Sequence, residues 1–218
     1  MLGLVVCRGE MPCLPDGARF RTVFVSPGTG LRAKCAARAA ARALRRDSVR
    51  EAVFPEGYVF RDLFARAGIT AVPLAPLYRA TASALVRFRL AQLGIDPRHA
   101  AVTLAAGSVT PELRRAAKSL SADVRRIALA VPGGAALAGM LRRELGIAIQ
   151  VGAAADLPRA DLIVDFSGTA VKDGVLSLGE TLPAIYDSPL PNALLSALWR
   201  SGVLVPEDLR VCDINLAK

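Results

Sequence analysis

Two rhythms of apolar and polar positions alternate along this chain. Short, largely apolar runs recur at Met1 to Cys7, Arg19 to Val25, Ala52 to Phe54 and Thr70 to Leu74. They return at Ala100 to Ala105, Arg126 to Val131, Ile147 to Val151, Leu162 to Phe166 and Val175 to Leu178. Runs of this length, bounded by Gly, Pro, Asp or Ser, predict strands buried on both faces. Between them lie stretches with helical spacing: the Ala/Arg segment after Gly30 to about Arg46, Tyr58 to Ala67, Leu77 to Leu93, and Ala135 to Leu145. Punctuation supports these helices. Thr110-Pro111-Glu112 has a side-chain cap followed by a proline at the first helical position, which predicts a helix to about Leu120. Gly68, Gly94 and Gly146 stand where helices should close.

Strands alternating with helices predict a parallel sheet covered on both sides. With right-handed crossovers the simplest result is an α/β, doubly wound, mostly parallel, Rossmann-like sheet. Gly94 to Pro97 is the best boundary between two lobes, an N-terminal α/β lobe at 1–94 and a Rossmann-like lobe at 95–218. The stretch from Thr169 to Lys218 is less regular and holds one further predicted helix, Asn192 to Arg200.

Composition narrows this picture. The 218 residues are 53% hydrophobic and 22% charged, which excludes a disordered chain. Aromatics are only 5%. The net charge of +9 is carried almost wholly by Arg and accompanies abundant Ala, the mark of a GC-rich, bacterial-type genome. Cys7, Cys13, Cys35 and Cys212 form no CxxC pair and have no His cluster beside them, which argues against a zinc site or disulfide framework. They read as buried or incidental thiols, and the absence of a leader pattern or long apolar run predicts a cytoplasmic protein.

In open α/β sheets ligands sit beyond the carboxyl ends of the strands. That rule selects four loops: Ser26 to Gly30, Gly107 to Thr110, Pro132 to Gly134, and Ser167 to Thr169. Their small residues expose backbone N–H groups, so Gly28, Gly30, Gly107, Ser108, Gly133, Gly134, Ser167 and Gly168 are the candidate cofactor-binding positions. Gly28 to Ala33 fits G-x-G-x-x-A after a strand and before a helix, with Glu56 placed to meet a ribose; a plain Gly-rich turn explains the same residues. Asp165, near the end of an apolar strand, is the one candidate catalytic carboxylate; its alternative role is to cap the next loop through Ser167 or Thr169. Lys34, Arg38, Arg42, Arg46 and Arg50 recur every four residues, either as a phosphate-binding ridge or as a solvated face opposite Leu31, Cys35 and Leu44. No aromatics interleave with them, which argues against single-strand binding; a nucleic-acid partner on this ridge is a third reading, placed behind the solvated face. His99 stands alone and reads as a loop residue, and Lys172-Asp173 as part of a turn.

The layout from Asp96 to Gly168 resembles the NAD(P)-binding domain of shikimate dehydrogenase-like enzymes. Ala-Asp-Leu-Ile-Val-Asp-Phe-Ser-Gly, ending at Gly168, is similar to the strand and loop that pass near the nicotinamide in dihydrodipicolinate reductases. The resemblance covers about a third of the chain and implies NAD or NADP as cofactor; the scattered cysteines and lone histidine give no reason to expect a metal. The sequence departs from these families where Gly107 stands alone and where Val131-Pro132-Gly133 offers no acidic or Arg residue to the ribose. Two functions follow as expectations. One is a protein that binds a nucleotide or phosphorylated small molecule, including an NAD(P)-dependent oxidoreductase. The other is a noncatalytic binding or assembly protein, forming a homo-oligomer through an apolar face of the 192–200 helix at Leu194, Leu195, Leu198 and Trp199.

Overall fold

The computed structural model describes residues 1–153, 159–170 and 174–214. In chain order the elements are β1 (Leu2–Cys7), β2 (Phe20–Val25), α1 (Leu31–Arg46), β3 (Glu51–Val53), α2 (Arg61–Arg66) and β4 (Thr70–Ala71). Next come α3 (Ala75–Ala80), α4 (Ala82–Gln92), β5 (Ala101–Ala105), α5 (Pro111–Leu120), β6 (Arg126–Ala130), α6 (Gly134–Leu145) and β7 (Gln150–Val151). The last are β8 (Leu162–Asp165), β9 (Val175–Ser177), β10 (Ala184–Tyr186), α7 (Asn192–Arg200) and β11 (Val211–Ile214). They form two compact units: Met1–Pro73 with Ser188–Val205, and Leu74–Asp187 with Pro206–Lys218. The Gly94 segment therefore falls inside the second unit, and the 192–200 helix belongs to the first.

The first unit is built on a parallel sheet in the order β2-β1-β3-β4. Alternation along β1 sends Val5 to one face and Leu4 and Val6 to the other. The Val5 face meets Ala37, Ala40, Ala41 and Leu44 of α1 and Phe64 of α2. These alanines, with Ala33, form the buried stripe of α1, where small side chains permit close approach to the sheet. Leu31 is 78% exposed and Cys35 is exposed, so neither belongs to the inward face that the ridge was expected to oppose. The opposite sheet face is covered by Leu194, Ala197 and Leu198 of α7, packed against Leu4, Val6, Val53 and Val72. The apolar face expected to serve an oligomer is thus consumed by the chain's own core.

The second unit carries a five-stranded parallel sheet, β7-β6-β5-β8-β9, together with an antiparallel pair, β10 and β11. This strand order is Rossmann-like: the chain steps outward from β5 to β7, then returns to the other side of β5 for β8 and β9. The single helix expected over Leu77 to Leu93 is two. At Thr81 the backbone leaves helical geometry, and its hydroxyl donates to the Leu77 carbonyl and bonds the Tyr186 hydroxyl at 2.7 Å. α3 begins early because the Glu180 carboxylate accepts from the N–H groups of Leu74 and Ala75. Pro73, with no N–H, stands just beyond the end of β4.

Candidate functional site

The switch point of the second sheet lies between the carboxyl ends of β5 and β8. A crevice of about 660 Å3 opens there, lined by Ala105, Ala106 and Gly107 at the end of β5, Ala130, Val131 and Pro132 at the end of β6, Val151 to Ala153 at the end of β7, and Asp165 and Ser167 at the end of β8. A cavity of that size with small, largely apolar walls matches the usual dimensions of small-ligand sites. Three of the four loops selected from sequence converge on it. Gly107 lines it and is exposed, as is the neighbouring Ser108, and a Cβ at Gly107 would meet nothing within 4 Å. Gly134 is buried instead: a Cβ there would lie 3.1 Å from Val131 and 3.1 Å from Val151, so its smallness lets α6 approach the sheet.

Asp165 is 5% exposed, and its carboxylate is committed to its own loop. It accepts from the Ser167 hydroxyl, the Ser167 N–H (2.9 Å), the Thr169 N–H (2.9 Å) and the Ala170 N–H (2.8 Å). Burial alone would push the carboxyl up. The Ser167 hydroxyl and the three N–H donors outweigh it and hold the pKa below the usual carboxylate value. The capping role anticipated as its alternative is therefore the one its contacts display. Because the folded-state pKa is depressed, this group stabilises the fold above its unfolded pKa of about 4 and loses that contribution as pH falls through the lower native value. Asp165→Asn is expected to cost about 1–3 kcal/mol at neutral pH. Urea titrations from neutral to strongly acidic pH should show the gap between variant and parent closing as the acid limb is descended. A gap independent of pH would contradict this assignment.

The loop also relies on two glycines. Gly168 has φ +75, and a Cβ there would sit 2.6 Å from the Gly179 Cα. Gly168 thus serves a close crossing of two backbone segments. Arg79 of α3 donates to the Ser167 carbonyl at 3.3 Å, while its buried Nε finds no partner among the described residues. This cation beside the loop had no signature in sequence, since it is 88 positions from its partner.

The two helix ends at this edge differ chemically. At α5, Thr110 caps the Leu113 N–H, Pro111 has no N–H to offer, and the Glu112 carboxylate occupies the first turn. That end is poorly disposed toward a pyrophosphate. α6 begins at Gly133-Gly134 with no side-chain cap and no acidic residue in its first turn, so it is the better anion-facing end.

Gly28 and Gly30 lie in the first unit, exposed, after the edge strand β2. A dinucleotide fingerprint needs its glycine loop and its acidic residue on neighbouring strands. Here β1 lies between β2 and β3, so Glu56 does not face the Gly28 loop. Glu56 instead joins Cys7, Glu10 and Pro55 around a cavity of about 250 Å3. Burial and the neighbouring Glu10 push the Cys7 thiol up, away from a reactive thiolate. All four cysteines are free, and Cys13, Cys35 and Cys212 are exposed rather than buried. His99 is exposed on a short turn before β5, at the sheet edge opposite the crevice. Lys172 and Asp173 lie outside the described residues. Among the described residues no group of His, Cys, Asp and Glu is arranged to hold a metal, and no helix is long and apolar enough to cross a membrane.

No family model matches the chain, and no curated protein matches it. Among solved structures, the A chain of dipicolinate synthase from Bacillus subtilis aligns at 13% identity and TM-score 0.36, over 66% of this chain and 52% of that one. A shikimate 5-dehydrogenase-like protein aligns at 10% identity and TM-score 0.28, over 75% of this chain and 65% of that one. This chain thus spans about half the length of the first and under two thirds of the second; its Rossmann-like assignment stands on its own strand order.

Proposed function

We propose that this protein binds a compact nucleotide or phosphorylated small molecule in the crevice between β5, β6 and β8. The observation that carries this reading is the crevice itself: it sits at the sheet's switch point, with small side chains on every wall. The apolar walls suit a flat base or ring, and the uncapped start of α6 suits an anionic group. Asp165 shapes the loop and has no free oxygen directed to catalysis, so any reaction would draw its chemistry from the ligand or a cofactor.

An NAD(P)-dependent oxidoreductase is the second reading, favoured by the strand order alone. The residues present do not fit a dinucleotide in its usual pose. α5 withholds its N-terminus from the pyrophosphate, and the end of β6 offers Val131 and Pro132 where a ribose would need a charged partner.

Calorimetric titration with AMP, GMP, NAD and NADP separates the two. Mononucleotide binding in the micromolar range, with the dinucleotides no tighter, is the expected result. Gly107→Leu, which projects into open space, should weaken it at least tenfold with little change in melting temperature. Binding by none of the four, or equal binding by Gly107→Leu, would overturn the proposal. Tight NAD or NADP binding would restore the oxidoreductase reading.

A further inference from the structure

The excess positive charge is unevenly placed. The first unit holds thirteen Lys and Arg against six Asp and Glu, a net +7; the larger second unit is close to balance at +2. A genome-wide preference for Arg would spread the excess over both. Six of the thirteen lie on α1, which has no acidic residue. At 100° per residue, Lys34, Arg38, Arg42 and Arg45 fall within about 80° of arc and span about 16 Å along the axis. All four are exposed.

That stripe runs into a concavity of about 490 Å3, where Arg45 meets Arg50 and Arg66 around Ser48 and Gly68. Asp62, one turn before Arg66 on α2, makes no ion pair with it, and two other carboxylates of this unit are already engaged. Asp47 pairs with Arg21, and Glu51 pairs with Arg200 at 2.7 Å. Arg45, Arg50 and Arg66 have no acidic partner among the described residues. Arg45 and Arg66 lie in the last turns of their helices, where cations complement the helix dipole. Arg50 lies on no helix, so that explanation does not cover it.

We propose that this face of the first unit docks the phosphate backbone of double-stranded nucleic acid. A row of uncompensated guanidinium groups ending in a hollow matches a convex, regularly charged rod. A planar lipid surface would not enter the hollow. The lack of aromatic side chains along the row argues for backbone contact rather than base stacking on a single strand. Such contact is independent of sequence and strongly dependent on salt.

The test is fluorescence anisotropy of a labelled mixed-sequence DNA duplex, with an RNA duplex of the same sequence, over a salt series. The full chain is compared with Arg45→Gln/Arg50→Gln/Arg66→Gln. A second triple variant, Arg114→Gln/Arg142→Gln/Arg143→Gln, makes the same charge change on exposed positions of the second unit. The first variant should bind at least about tenfold more weakly at low salt, with a salt slope reduced by about 2–3. The second should stay near the parent. Equal losses in both, an unchanged slope in the first, or retention on phosphatidylserine vesicles without duplex binding would each overturn the proposal.

Discussion

Leu198→Asp is expected to prevent the first unit from folding. Leu198 is 1% exposed in the layer where α7 meets Leu4, Val6, Val53 and Val72. The substitution forfeits about 1.5–3 kcal/mol of apolar burial. It also places a carboxylate in an apolar layer, at several kcal/mol more unless the group takes up a proton. The total rivals the whole stability of an ordinary domain, about 5–15 kcal/mol. The variant should be insoluble, or soluble with its near-ultraviolet circular dichroism largely lost. Leu198→Ala supplies a folded comparison, expected to be about 2–5 kcal/mol less stable in urea. If Leu198→Asp instead unfolds at the parent's urea concentration and changes only the molar mass by light scattering, α7 is an intermolecular surface and does not pack on Leu4, Val6, Val53 and Val72.

Gly168→Ala carries the second large effect, and it acts where the proposed ligand would sit. Left-handed backbone costs a residue with a Cβ about 1–2 kcal/mol. The new methyl would also lie 2.6 Å from the Gly179 Cα, backbone that cannot swing aside like a side chain. Overpacking of this kind costs about 1–3 kcal/mol or more. Together these predict a fall in melting temperature of about 5–15 °C, and a loop displaced enough to break the Asp165 hydrogen bonds. A melting temperature within about 2 °C of the parent would show that the two backbone segments do not cross this closely. Gly107→Leu is the useful contrast, because Gly107 has neither a positive φ nor a neighbour.

The candidate site is partly legible in the sequence. Continuous apolar strands such as Ala101–Ala105 and Leu162–Asp165 pointed to a buried parallel sheet, and the carboxyl-edge rule then selected four loops, three of which line one crevice. The Thr110-Pro111 start of α5 was readable because capping is decided by adjacent residues, and in the structure Thr110 caps the Leu113 N–H. Other features were hidden. The break at Thr81 depends on Tyr186, 105 positions away. The Gly28 motif had the right local context and the wrong neighbour, because strand order is not encoded in the spacing of glycines. β10 and β11 are three and four residues long and pair across a register shift, too short to show a period.

What the sequence determined by itself is what local physics can decide: most of the strands and helices, the capped start of α5, and that the central strands β5 and β8 are buried, whereas the edge strands β4 and β7 are exposed. Those properties depend on residues within a few positions of one another. The tertiary structure alone decided which strands are neighbours, which apolar faces find their partner within the chain, and which charges remain unpaired. Each of these depends on groups brought together from far along the chain. Leu198 went from expected surface to core because β1 and β3 offered it a matching apolar face. The arginines beside Asp47 and Glu51 were left uncompensated because Arg21 and Arg200 reached those carboxylates first.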